Sequence, residues 1–315
     1  MTTLRSVVAV SALLASACAA PAYVAGKRIP PPVPDDVTHH ESSLNGKDGV
    51  MLLTQSWLPK SGETKAVVIL VHGLKDYSDR YSGFAQQLTQ HGYAVYAYDQ
   101  RGHGDSAGDR VWVGHFSDLT DDLGAFVERV QSEQPGKPFF LFGHSMGGAV
   151  VTLYTIQKQP KANGLVLSAA ALKTDAGAGL RGSVHLFSTI APTLAVFELK
   201  DEDFSRDKAV VDSMKHDPLI YDGSGPARTA GEVLNAISEI RERSAELKVP
   251  VLAMHGTLDK VTPPSGDDDL VAKASCTDKT AKKYEGLVHD LLHEPEKDQV
   301  IADVISWLDA HLKAP

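Results

Sequence analysis

Cysteine is scarce in this chain: Cys18 and Cys276 are the two thiols in 315 residues. That is too few for a disulfide framework or a cysteine-based zinc site. Long apolar runs are missing as well, and the run at 7–14 falls far short of the roughly 20 residues that span a bilayer. Positive charge is in deficit, with 31 Lys and Arg against 40 Asp and Glu, a formal net charge of −9. A general nucleic-acid or anionic-membrane binder needs a basic footprint, which this balance does not supply. Internal repeats are absent, and the one low-complexity stretch holds Pro30, Pro31, Pro32 and Pro34. What is there is an ordinary soluble composition, 43% hydrophobic and 23% charged. The length suffices for a core that needs no staples, in one large domain or two small ones.

The N-terminus carries its own pattern. Arg5 is the only charge before Lys27, the run at 7–14 follows it, and Ala15-Ser16-Ala17-Cys18-Ala19-Ala20 closes it. A positive start, a short apolar stretch and a small-residue exit describe a secretory signal, and the stretch has no polar face to make it an amphipathic helix. Leu14-Ala15-Ser16-Ala17-Cys18 resembles the lipobox of bacterial lipoproteins, with Ala15 where leucine is commoner. That resemblance implies a lipidated Cys18, a cell-envelope anchor and a free thiol at Cys276. Ordinary cleavage after Ala17, Ala19 or Ala20, giving a secreted soluble protein, stands beside it. The expected organisation is a signal at 1–17, an extended proline-rich tether at 18–40, and a folded domain from near His40.

From there short strands alternate with helices. The segment at 51–58 has the pattern of an antiparallel entry strand. Continuous apolar runs at 66–71, 93–98, 139–142, 165–167 and 249–254 fit central strands covered on both faces. Between them Leu119, Leu123, Phe126, Val127 and Val130 share one helix face, and Val300, Ile301, Val304, Ile305, Leu308 and Leu312 share another. The pattern predicts an α/β fold: a mostly parallel sheet with helices on both faces. Sites in such sheets lie at the carboxyl ends of the strands.

The sharpest motif lies at such an end. Gly143-His144-Ser145-Met146-Gly147-Gly148 follows an apolar strand and precedes a helical stretch, the setting of a nucleophile elbow. A serine hydroxyl needs a base, and the base an orienting acid. In this architecture they follow in the order serine, acid, histidine. Asp259, after the run at 249–254, and His289, after a candidate last strand, fill those places. Taken singly, an aspartate after a strand is a turn or cap residue and a loop histidine is solvated; the ordered set points to Ser145 as nucleophile, Asp259 as acid and His289 as base. An oxyanion hole needs backbone N–H donors, which Met146 and, after His72-Gly73, Leu74 are placed to give. His72 itself is expected to organise its turn.

These stretches, with Asp99-Gln100-Arg101-Gly102-His103-Gly104-Asp105-Ser106, Gly256-Thr257-Leu258-Asp259 and Tyr284-Glu285-Gly286-Leu287-Val288-His289, resemble the monoglyceride lipase and lysophospholipase branch of the α/β-hydrolase superfamily. Ser205-Arg206-Asp207 and His216-Asp217-Pro218-Leu219-Ile220 resemble that branch's cap. The resemblance runs from about residue 45 to the end. It implies an α/β-hydrolase core at 41–171 and 241–315, a helical cap at 172–240, and the same triad and oxyanion donors. Lys75-Asp76-Tyr77 departs from the glycine-containing turn often found there. Within the cap, Leu180, Val184, Phe187, Ile190, Leu194 and Phe197 recur at helical spacing. They form either a stripe packed on the core or an apolar surface facing substrate. Asp201-Glu202-Asp203 reads as a solvated face.

The expectation is a serine ester hydrolase acting through an acyl-enzyme on monoacylglycerol or lysophospholipid, without metal or organic cofactor. A lipidated Cys18 and an apolar cap would supply membrane association. General esterases and serine peptidases share the fold, as would a non-catalytic binding protein on the same scaffold. His289-Asp290-Leu291-Leu292-His293 superficially matches the H-E-x-x-H zinc motif, with aspartate where glutamate acts as base.

Overall fold

The computed structural model describes residues 32–313, so the signal segment, Cys18, Pro30 and Pro31 lie outside the described residues. The chain enters through an antiparallel pair, β1 (Val37–Asn45) and β2 (Met51–Pro59). β3 (Ala66–Val71), α1 (Ser82–Gln90), β4 (Tyr93–Tyr98), α2 (Phe116–Glu133), β5 (Phe139–His144), α3 (Met146–Lys158) and β6 (Gly164–Ser168) then alternate. A segment of mixed structure interrupts them: α4 (Ala178–Ile190), β7 (Ala195–Phe197), α5 (Lys208–His216), β8 (Gly225–Pro226) and α6 (Ala227–Arg243). Alternation resumes with β9 (Val251–Gly256), α7 (Ser265–Lys273), β10 (Lys279–Tyr284) and α8 (Lys297–Ala310).

Eight strands form one sheet in the order β1-β2-β4-β3-β5-β6-β9-β10. The β1–β2 and β2–β4 pairings are antiparallel, and every other pairing in the sheet is parallel. Successive side chains of a strand point to opposite faces, so β3 serves two cores at once. Val67, Ile69 and Val71 enter a core built with α2 and α3, while Ala66, Val68 and Leu70 enter one built with α1 and α8. All six are buried, which is why the strand reads as a continuous apolar run. The periodic residues of α2 are each at most 2% exposed. At about 1.5–3 kcal/mol for each large apolar side chain, that one face contributes several kcal/mol of burial.

Two elements depart from the sequence pattern. Of the nine residues of β1 only Val37 is buried. This strand lies at the sheet edge, where polar side chains are compatible with pairing, so hydrophobic alternation gives no sign of it. In the mixed segment, helical spacing extends from Leu180 to Phe197, yet α4 ends at Ile190. Pro192 disfavours helical backbone at Ala191 and lacks an N–H to donate, and Phe197 falls in β7, paired with β8. The stripe is not packed on the sheet: Leu180 and Ile190 are 61% and 65% exposed.

Candidate active site

Ser145 stands between β5 and α3 with φ 52° and ψ −120°, a conformation costly for a residue with a side chain. The surroundings enforce it. Its N–H donates to the Ser168 carbonyl at 3.0 Å, and its carbonyl accepts from Ala171 N–H at 2.9 Å, tying the turn to the end of β6. The start of α3 presses on the end of β3 so closely that a Cβ on Gly147 would lie 2.3 Å from the carbonyl oxygens of Val71 and His72. On the other side, a Cβ on Gly73 would sit 3.0 Å from that of Ser145. Leu74 therefore follows a backbone lying directly against the serine. Met146 is the first residue of α3, where a helix leaves its N–H groups without intrahelical acceptors.

His72 organises its turn, as expected. Its Nε2 accepts the Gln100 N–H at 2.9 Å, so its Nδ1 carries the hydrogen and donates to the Gly73 carbonyl at 2.7 Å. The loop beginning at Asp99 thereby gains a reason for its composition. Gln100 also donates its side-chain amide to the His72 carbonyl, and the buried Asp99 carboxylate accepts from Ser78 and from Asp105 N–H.

Asp259 lies in the turn after β9. Its Oδ1 accepts the N–H groups of Val261 and Thr262 at 2.7 and 3.0 Å, and its Oδ2 is 2.8 Å from Nδ1 of His289. Burial alone would raise the Asp259 pKa, but the opposing charge of His289 and hydrogen bonds from His255 and His289 hold it well below the usual carboxylate range. His289, on the loop after β10, is fully buried. Its ring packs 4.9 Å from His144 and edge-on to Phe204. Burial pushes the pKa of His144 down to about 4 against the nearby Asp290 charge, and its Nδ1 donates to the Ser168 carbonyl. Among the described residues, Nε2 of His289 has no hydrogen-bond partner. The structure thus joins His289 to Asp259 directly and does not join His289 to the Ser145 hydroxyl.

Leu74, Ser145, Met146 and Asp259 all line one cavity of about 620 Å³, within the roughly 300–1,000 Å³ usual for small-molecule sites. The mixed segment roofs it with Leu180, Val184 and Phe197, and α6 adds Val233, Leu234 and Ile237. Lys173 and Lys260 also line it, but Lys173 pairs with Asp269 at 2.9 Å and Lys260 faces Asp203 at 4.0 Å.

Residues 62–296 match the family model described as serine aminopeptidase, S33. The chain belongs to that family. It is 34% identical over 277 residues to the monoacylglycerol lipase of Mycolicibacterium smegmatis, spanning 87% of this chain and 99% of that one. Caffeoylshikimate esterase of Arabidopsis thaliana is 34% identical over 85% of this chain and 84% of its own length. Among solved structures, Paleococcus ferrophilus monoacylglycerol lipase superposes with a TM-score of 0.73 at 28% identity, covering 83% of this chain and 99% of that one. The chain is a monoglyceride lipase-like serine ester hydrolase with the α/β-hydrolase fold.

Several contacts of this hydrolase site escaped the sequence pattern. Asp290 and Asp76 sit on different loops, yet the buried Arg80 bridges them at 3.1 and 2.9 Å, pinning the loop of His289 to the loop after β3. Burial alone would raise the Asp290 pKa, but facing His293 and Arg80 keep it well below the usual range. His293 spends Nδ1 on Asp290 and Nε2 on the Arg80 carbonyl, so it does not converge with His289. Among the described residues no group of three or more His, Cys, Asp or Glu could hold a metal ion. The acidic run is not simply solvated: Asp201 accepts from the buried Lys75 at 2.9 Å, and Lys75 also donates to the Leu199 carbonyl. Lys75 adopts φ 50°, the left-handed conformation that favours glycine, and its side chain fastens the Leu74 loop to the mixed segment.

Proposed function

We propose that the protein hydrolyses monoacylglycerol through Ser145, His289 and Asp259, with the segment at 172–240 as the cap of its acyl site. The carrying observation is the buried imidazole of His289, bonded to Asp259 at 2.8 Å and with Nε2 free. Nε2 takes the proton of Ser145 as its oxygen attacks the ester carbonyl. The N–H groups of Leu74 and Met146 stabilise the oxyanion, and Asp259 stabilises the imidazolium. His289 then gives the proton to the departing alcohol, and water attacks the acyl-enzyme by the same route in reverse.

The apolar lining of the cavity supports a long acyl chain, since each methylene withdrawn from water contributes about 0.8 kcal/mol. Its polar end favours glycerol over a phosphorylated head group. The two lysines there already face carboxylates, and Asp175 adds a further negative charge. A fluorophosphonate probe is expected to label the wild type and not Ser145→Ala; equal labelling of both would overturn the nucleophile assignment. Monoacylglycerols should outpace lysophospholipids of equal acyl length, and rates that fall as the acyl chain grows would count against the lipid substrate.

A further inference from the structure

Asp259 meets a second imidazole besides that of His289. His255, fully buried in β9, places Nε2 3.0 Å from Oδ2 of Asp259 and Nδ1 2.9 Å from Oδ2 of Asp267 on α7. The same Nε2 donates to the Thr262 carbonyl at 3.1 Å and lies 3.2 Å from the Thr262 hydroxyl, which itself donates to Oδ2 of Asp259. Acceptors therefore face both ring nitrogens. A neutral imidazole has one N–H and would set a lone pair against one of the carboxylates, whereas an imidazolium satisfies both. Burial pushes the His255 pKa down, but bonds to Asp259 and Asp267 outweigh it and bring it up to about 9. The contacts run in series, from Lys283 through Asp267, His255 and Asp259 to His289.

We propose that His255, held by Asp267, is a positioning residue for ester hydrolysis: as a buried cation it fixes Oδ2 of Asp259 and limits how strongly that carboxylate holds a proton on His289. The inference rests on Ser145 and His289 being nucleophile and base. Oδ1 of Asp259 is held by two backbone N–H groups and Oδ2 accepts the Thr262 hydroxyl at 3.0 Å, so the ion contact of His255 with Oδ2 adds charge and restraint to a carboxylate those bonds already orient. The same cation opposes a second positive charge on His289. The base therefore passes its proton to the leaving alcohol more readily than it would beside an isolated aspartate. The charged and titratable groups facing this pair are few. Asp259 and His144 face His289, while Asp290 beside it is engaged by Arg80 and His293. Asp259 and Asp267 face His255, and Lys283 faces Asp267 and Asp268.

His255→Gln tests this, because the glutamine amide can still donate to Asp259 but carries no charge. The acid limb of its kcat/KM profile is expected to move upward by about one pH unit. Its plateau kcat should fall less than about tenfold, with KM unchanged because His255 does not line the cavity. His255→Phe lacks the donor and should lose roughly ten- to hundredfold in plateau kcat. An acid limb that stays in place or moves downward in a folded His255→Gln protein overturns the proposal. Nitrogen-15 NMR of the wild type at neutral pH supplies a readout independent of any variant: both His255 ring nitrogens should be protonated, and a neutral tautomer refutes the idea. Activity surviving in Ser145→Ala would instead defeat the parent mechanism. An unmoved limb in an enzyme that needs Ser145 defeats this inference alone.

Discussion

Replacing Asp259 by asparagine changes one atom and should remove most of the activity while leaving the fold in place. The wild-type carboxylate accepts two backbone N–H groups on Oδ1, and through Oδ2 it accepts the Thr262 hydroxyl and faces His289 and His255. The asparagine carbonyl must keep the two backbone donors, so its NH2 group turns toward Nδ1 of His289. Nδ1 can then only accept, and the ring hydrogen moves to Nε2, the nitrogen that takes the proton from Ser145 in the proposed mechanism. Loss of the correct tautomer and of the negative charge costs about 10³- to 10⁴-fold in kcat, or roughly 4–5.5 kcal/mol of transition-state stabilisation. KM for a p-nitrophenyl ester should change little, because Asp259 supports the transition state and not the ground state. Steady-state kinetics on the folded variant, with circular dichroism to verify folding, decides the matter. A kcat within tenfold of wild type would refute the assigned role.

Two further outcomes are measurable, one at the Asp259 cluster and one at the start of α3. The His255 pKa is raised from 6.5 to about 9, so its contribution of about 3 kcal/mol is complete below pH 6.5 and lost as pH climbs to 9. Calorimetry should show wild-type Tm falling across that window, and His255→Gln should show a flatter profile; parallel profiles would mean that the buried imidazole does not titrate there. Gly147→Ala places a methyl group against the Val71 and His72 carbonyls and should lower stability by about 3 kcal/mol, measured by urea unfolding. Wild-type stability in that variant would show that the start of α3 can shift at no cost.

The strands and the candidate triad were legible for a common reason. A buried parallel strand must be apolar on both faces, so β3, β4, β5, β6 and β9 appear as short continuous runs. The elbow requires glycine where backbone approaches backbone, so Ser145 is flanked by a recognisable pattern at a strand end. Edge strand β1 left no such mark, because its stability comes from backbone pairing to β2 and not from a buried face. Helical spacing likewise ran through Pro192, whose missing N–H ended α4 and turned the following residues into β7.

Residue types and their order along the chain were therefore enough to specify a mostly parallel α/β sheet and, with the family resemblance of its motifs, to single out Ser145, Asp259 and His289 as candidates. Their support is another matter. Arg80 reaches Asp290 across 210 positions, Lys75 reaches Asp201 across 126, and His255 meets Asp267 through a helix start with no periodic signature. Each is an ordinary polar residue in the linear pattern. Each acquires its role only when folding buries it beside an opposite charge that water no longer screens.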